Sequence, residues 1–167
     1  TLPIVNEELF WGDAGIGMAI MGSGLAAAGI AAAGTPEQVL EWVPQCYGTA
    51  DDIRLGAFCV SEPDAGSDVS SLRTRAVYDE ANDEWVLNGE KVFIANGSIA
   101  KLFFIDARTN PNVSVRQGVT MFLVPRDTPG FRYGKVFNKR GWRFYQNAEL
   151  IFENARVPHE NVVGGVN

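Results

Sequence analysis

The chain has 167 residues, a net charge of −6, and 46% hydrophobic against 20% charged residues, which is enough for one folded domain or one domain with part of another. That balance excludes a disordered chain, and an acidic total with no run of more than two basic residues excludes a nucleic-acid footprint, so an anionic substrate has to be met by a local site. Two cysteines without a CxxC spacing and a single histidine, His159, leave no Cys/His zinc set, and Cys46 and Cys59 read as reduced, buried thiols.

The start, Thr1-Leu2-Pro3-Ile4-Val5-Asn6, has neither an initiator Met nor the basic stretch of a signal peptide, so the chain reads as a piece of a longer protein. Asn6 to Trp11 opens a helix. Ala14 to Gly34 carries no charge and is long enough to span a bilayer. It is built mostly of Ala and Gly, however, with few large apolar residues to drive insertion. Small residues favour close helix contact, and the segment reads as a buried helical pair, with no membrane span. Thr35, Pro36 and Gln38 form a helix start with a capping box, predicting a helix from Glu37 to Gln45 interrupted at Pro44. Gly48-Thr49-Ala50-Asp51-Asp52 is a turn and a domain boundary. The helices before it are too apolar to face water on all sides, which marks an interface or a cut.

Beyond the turn the period changes to that of strands, predicted at Leu55–Val60, Arg73–Tyr78, Glu84–Leu87, Glu90–Ile94, Leu102–Ala107, Val119–Val124, Phe131–Val136 and Glu149–Val157. Asn82-Asp83, Asn88-Gly89 and Asp127-Thr128-Pro129-Gly130 are turn signals. The fold class is α+β: a partial all-α segment followed by an antiparallel β-barrel or sandwich.

Three stretches can carry chemistry. Phe58 to Asp68 follows a strand and contains Glu62-Pro63, Ala65-Gly66 and the hydroxyls of Ser61 and Ser67, a composition that exposes amide hydrogens and lets a ligand approach at Gly66. Glu62 itself reads as a turn carboxylate. Lys91 to Gly97 places Phe93 near a strand end, where an aromatic packs on a planar ligand. Arg140 to Asn147 is a polar and aromatic loop. Each taken alone also fits an ordinary turn.

Together they form an ordered set: Cys-Val-Ser-Glu-Pro-x-Ala-Gly-Ser-Asp at Cys59 to Asp68, Asn-Gly-x-Lys-x-Phe-Ile-x-Asn-Gly at Asn88 to Gly97, Phe-Leu-Val-x-x-x-Thr-Pro-Gly at Phe122 to Gly130, Gly-x-Arg at Gly141 to Arg143, and Leu-Ile-Phe-Glu-x-x-x-Val-Pro-x-Glu-Asn-Val at Leu150 to Val162. The set resembles the acyl-CoA dehydrogenase family from about Asn6 to Val163. The resemblance implies residues 1–50 as the end of an N-terminal helical domain and 51–163 as the middle β-domain, with the family's C-terminal four-helix domain, which carries the glutamate base, outside this chain. It implies FAD as cofactor, an acyl-CoA substrate and an electron-transfer flavoprotein as acceptor. It also implies a homo-oligomer, tetramer or dimer, in the cytoplasm or the mitochondrial matrix. Phe58, Val60, Ser61, Gly66 and Ser67 would hold the flavin, with Ser67 also touching the acyl-CoA, and Phe93, Ile94 and Ala95 would line the ring face away from the substrate. No residue of this chain inherits the base, so the chain alone is expected to be inactive.

Three positions depart from the family pattern. Ala95 stands where Thr or Ser commonly donates to flavin N5, Phe93 stands for Trp, and Tyr145-Gln146-Asn147 replaces a small polar trio. The change at Ala95 gives weight to a second reading, a flavin oxidase or monooxygenase of the same fold. A third reading is a non-catalytic module.

Overall fold

A computed structural model describes residues 2–167. The helical start comprises α1 (Leu2–Gly12), α2 (Ala14–Met21), α3 (Ser23–Ala33) and α4 (Pro36–Trp42). Asp13 caps α2 by accepting the Ile16 N–H at 2.8 Å. The capping box at Thr35 and Gln38 forms in full, and Pro44–Cys46 continue as a 3-10 turn after α4 ends at Trp42. The Gln38 amide reaches further, donating to the carbonyls of Glu160 and Val162 at 2.9 and 2.8 Å, which ties α4 to the other end of the chain.

The Ala/Gly run forms two helices joined at Gly22, whose backbone stays helical (φ −59°, ψ −35°). By length and composition Ala14–Ala33 passes for a membrane-crossing helix. One side of α3 is instead packed on the sheet, where Ala26, Ala27 and Ile30 share a buried cluster with Leu102, Phe104 and Leu123. Gly29 permits that approach: a Cβ there would stand 2.5 Å from the Phe104 ring. The other side of the pair keeps Ile16, Ile20 and Leu25 exposed, so the expected burial holds only for the face against the sheet.

The strands are β1 (Gly56–Cys59), β2 (Arg75–Asp79), β3 (Glu84–Ala95), β4 (Leu102–Arg108), β5 (Val119–Pro125), β6 (Phe131–Val136), β7 (Asn147–Pro158) and β8 (Val162–Val163), with the short helix α5 (Val115–Gly118) before β5. They form one sheet in the order β6-β7-β3-β2-β4-β5-β8, with β1 added on β4. Most neighbours are antiparallel. The exceptions are β1, which runs parallel to β4 with Gly56 opposite Leu102, and a single parallel pairing of Arg75 with Arg108 between β2 and β4. Among the described residues no hydrogen-bonded ladder joins β6 to β8, so the sheet is open, unlike the barrel expected from strand spacing. It curls over its own core. Trp85 of β3 meets Phe122 of β5 edge-on at 5.5 Å, and Phe103 of β4 meets Phe131 of β6 at 4.6 Å.

Alternation along β4 and β5 explains the two cores. Phe103, Ile105, Phe122 and Val124 point into the curl, while Leu102, Phe104 and Leu123 point at the helices. Each fully buried Phe or Leu contributes roughly 1.5–3 kcal/mol of transfer free energy. Cys46 lies in the helix-side core and Cys59 in the other, both free and buried as expected, and burial alone pushes the Cys46 thiol up to about 11.

The two strands predicted at Glu84–Leu87 and Glu90–Ile94 are one twelve-residue strand, β3. Asn88-Gly89 is a bulge site, not a hairpin turn: the register steps from Leu87 opposite Ala155 to Gly89 opposite Phe152. The Asn88 amide donates to the Asn154 side chain at 3.2 Å and its carbonyl oxygen accepts the Asn154 N–H at 2.9 Å, bridging the irregularity. Gly89 sits at φ +149°, and a Cβ there would stand 2.6 Å from Thr74 Cα. Gly89→Ala is therefore expected to lower the unfolding free energy by about 2–3 kcal/mol, read as a shift of the urea midpoint at unchanged slope.

Candidate functional site

The loop after β1 begins where the strand leaves β4. Glu62 and Ala65 exchange main-chain hydrogen bonds, Glu62 N–H to Ala65 O at 2.9 Å and Ala65 N–H to Glu62 O at 3.1 Å, closing a turn around Pro63-Asp64. Those two amides are spent inside the turn. Gly66 and Ser67 follow, both exposed, with no protein atom within 4 Å of where a Gly66 Cβ would sit. The chain's own packing does not require glycine there, and the backbone at this point is open to approach from outside. Asp68 turns back to accept the Ser70 N–H at 2.9 Å and ends the loop.

Glu62 anchors this turn from below. Its carboxylate accepts from the Lys91 ammonium at 2.8 Å, from the Arg73 N–H at 2.6 Å and from the Thr74 N–H at 3.1 Å. The Lys91 side chain is 0% exposed and that of Glu62 4%. Lys91 donates a second bond, to Val60 O at 3.0 Å. Burial raises the Glu62 carboxyl, but the Lys91 charge and the three donors outweigh it and hold the group below its ordinary 4.5. Asp106 of β4 feels the same lysine, yet burial dominates there and pushes its carboxyl up, and its Oδ1 has no hydrogen-bond partner. Glu62 is thus more than a turn carboxylate: with Lys91 it joins two loops through a buried ion pair.

A second bulge lies three residues further along β3. The register moves from Lys91 opposite Leu150 to Ile94 opposite Ala148, which leaves one residue of β3 without a partner. The Val92 N–H is turned away from β7 and donates to Ser61 O at 2.8 Å. Phe93 adopts φ +58°, a left-handed conformation that costs an aromatic residue about 1–3 kcal/mol, and its side chain is 62% exposed. The ring contacts Phe137 at 4.7 Å between centroids. An exposed aromatic is thus held in a strained backbone one main-chain bond from the Ser61 loop.

The segment after β6 closes this surface. Asn147 donates its side-chain N–H to Phe93 O at 2.8 Å and accepts the Phe137 N–H on its own carbonyl at 2.9 Å. The Lys139 ammonium donates to the Asn147 side-chain oxygen and to Tyr145 O. Gln146 accepts the Asn96 N–H at 3.0 Å and the Ser98 hydroxyl at 2.6 Å, pinning the segment to the end of β3. A cavity of about 470 Å³ opens between the start of α2 and residues Arg140 to Phe144, and Gly15 gives it room, since a Cβ there would meet Trp142 Cα at 3.4 Å.

The expected site residues divide accordingly. Ser61, Gly66, Ser67, Phe93 and Ala95 are at least partly exposed on this surface, and Val60 is half-buried beside the Lys91 bond. Phe58 turns toward the helices and stacks on Phe104 at 5.9 Å, while the Ile94 side chain is 2% exposed in the curl. Ile94 can meet a ligand only by its main chain, whereas Phe58 is half-buried and keeps part of its side chain accessible. Residue types alone did not reveal Lys139, the Asn147 bond to Phe93 or the Glu62–Lys91 pair. The signal for the pair was a lysine placed directly before the apolar run Val92-Phe93-Ile94 of a strand. Asn96, which begins the Asn-x-Ser sequence Asn96-Gly97-Ser98, holds a buried side chain that donates to Gly56 O at 3.4 Å and so serves the fold.

Residues 57–155 match the family described as acyl-CoA dehydrogenase, middle domain. The acyl-CoA dehydrogenase of Bacillus subtilis (strain 168) is 41% identical over 131 residues, covering 78% of this chain and 33% of the relative. Among solved structures, butyryl-CoA dehydrogenase from Megasphaera elsdenii superposes with a TM-score of 0.83 at 37% identity over 92% of this chain and 39% of that one. The prolyl acyl carrier protein oxidase AnaB gives 0.80 at 33% identity over 91% and 39%. The chain spans about a third of the length of the curated relatives it matches.

Lys91→Met leaves a buried, unpaired carboxylate and is expected to cost about 3–5 kcal/mol, while Lys91→Met with Glu62→Gln costs much less than the sum of the two, as read by urea unfolding in a double-mutant cycle. The pH dependence has a definite sign. A carboxyl held below 4.5 in the folded state adds stability that is complete above that pH and is lost as pH falls through the folded value. Wild type is expected to lose stability on acidification below pH 4.5 more steeply than Glu62→Gln, and equal slopes in parallel urea titrations would remove the ion pair from the account.

Proposed function

The chain belongs to the acyl-CoA dehydrogenase family, and we propose that the protein carrying it uses FAD to remove hydrogen from the alpha and beta carbons of an acyl-CoA thioester. The observation that carries this reading is the strained, exposed Phe93 beside a loop whose Gly66 leaves open space. FAD, when bound, supplies the acceptor for the beta hydride.

The donors free for a ligand are the amides of Gly66 and Ser67 and the hydroxyls of Ser61 and Ser67. Fixed donors at the electron-rich edge of a ring stabilise the charge that gathers there on reduction, and they do so more strongly where water is excluded. Phe93 excludes water from one face and packs on the ring, with Phe137 behind it. Ala95 offers no hydroxyl at the ring. Ile94 and Phe58 brace the backbone from the two cores, and Ser67 also meets the thioester portion of the substrate. The proton from the alpha carbon goes to a base in the helices that the family places after this domain. On this reading residues 1–50 end the helical domain, 51–163 form the middle β-domain, electrons leave through an electron-transfer flavoprotein, and the whole protein is a homo-oligomer of the cytoplasm or mitochondrial matrix.

A specific observation favours a second reading of the same fold. Ala95 removes a family donor, and an oxidase stands among the structural neighbours. The two separate on one experiment with the full-length protein. Under anaerobic conditions, acyl-CoAs of straight, branched and cyclic type are expected to bleach the visible flavin band, and an artificial electron acceptor, not oxygen, is expected to restore it. Rapid oxygen consumption with peroxide release would favour the oxidase. A colourless protein indifferent to added FAD would refute both.

A further inference from the structure

Asn147 belongs to the part of the surface where this chain departs from its family's small polar trio, and it bonds to both members of the aromatic pair formed by exposed Phe93 and half-buried Phe137. Its main-chain carbonyl accepts the Phe137 N–H at 2.9 Å. Its side-chain N–H donates to Phe93 O at 2.8 Å. The two rings so held lie 4.7 Å apart and inclined at 39°. The Asn147 side chain has no freedom to do otherwise, because the residue is 8% exposed and its amide oxygen is fixed by the Lys139 ammonium.

The bond to Phe93 O falls where the backbone most needs it. Phe93 is the left-handed residue of the second bulge, opposite which the β7 ladder has no matching partner. A carbonyl turned out of its ladder has to find another donor or remain unsatisfied. Asn147 supplies that donor, so the left-handed conformation, and with it the outward direction of the ring, depends on the amide. Lys139 orients the amide: its ammonium takes the oxygen side and leaves the N–H side facing Phe93.

We infer that Asn147, oriented by Lys139, is a positioning residue that sets the Phe93–Phe137 aromatic platform at the angle required by a flat ring ligand. The inference rests on the flavin reading given above. It assigns to Asn147 no contact with the ligand: the residue acts through Phe93. Asn147→Asp is the informative change, since it keeps the size and the Lys139 contact while turning the donor to Phe93 O into an acceptor that repels it.

The test is a double-mutant cycle on FAD affinity in the full-length protein, with Asn147→Asp and Phe93→Ala. Asn147→Asp alone is expected to weaken FAD binding about tenfold. In the Phe93→Ala background the same change is expected to alter binding by less than about twofold, because the group through which it acts is gone. A crystal structure of Asn147→Asp is expected to show Phe93 out of the left-handed region, with or without cofactor. An equal loss in both backgrounds assigns Asn147 a merely structural role and overturns the inference, as does unchanged affinity in the single variant. Wild-type protein that fails to take up FAD at all removes the flavin reading itself, and the inference with it.

Discussion

The buried Lys91–Glu62 pair is the constraint around which this site is arranged. Glu62 stands in the turn after β1 and Lys91 in the middle of β3, and neither segment has ladder contacts that would hold the other. The lysine spends its donors on the Glu62 carboxylate and on Val60 O, and the carboxylate spends its acceptors on Lys91 and on two amides at the start of β2. A desolvated pair of this kind adds little net stability compared with well-packed hydrophobic side chains, but breaking it is costly. What it supplies is position: the loop cannot shift relative to β3 without stranding a charge.

From that point the bulged strand carries the geometry outward. With Lys91 fixed inward, the extra residue of β3 turns the Val92 N–H to Ser61 and drives Phe93 into the open. The earlier irregularity, at Asn88-Gly89, lets the same strand pass close to Thr74. A regular twelve-residue strand would place an alternating row of side chains against β7 and would present no aromatic face beside the loop. The two bulges convert a structural ladder into a surface with one strained, exposed ring, and the α3 helix and the Phe104 side of the sheet brace it from behind.

Much of this was legible in the residues. The capping box at Thr35, the break at Pro44 and most strands follow from local chemistry that tertiary packing leaves alone. The ordered motifs pointed to the fold through a resemblance, and the same motif stretches meet in space. What local reading lost were features fixed at a distance. Asn88-Gly89 has the composition of a hairpin turn, and only the approach of Thr74 and the reciprocal bonds to Asn154 make it a bulge. Glu62-Pro63 has the composition of an exposed turn, and only Lys91, twenty-nine positions later, buries the carboxylate. Ile94 lay in a motif read as flavin-lining, yet alternation past the bulge sends its side chain into the core. Parallel pairing of β1 with β4 leaves no local mark at all.

The stitching between the Ser61 loop and β3 is made by main-chain atoms and by Glu62 and Lys91: Val92 N–H to Ser61 O, the reciprocal Glu62–Ala65 bonds, and the lysine to Val60 O. The side chains of Ser61 and Ser67 take no part in it, whereas Asp64 pairs with Arg73 at 3.0 Å. Substitution of the two serines is therefore decoupled from the scaffold's folding energy, and this part of the rim can vary among descendants of one ancestral chain without their having to reinvent the framework beneath.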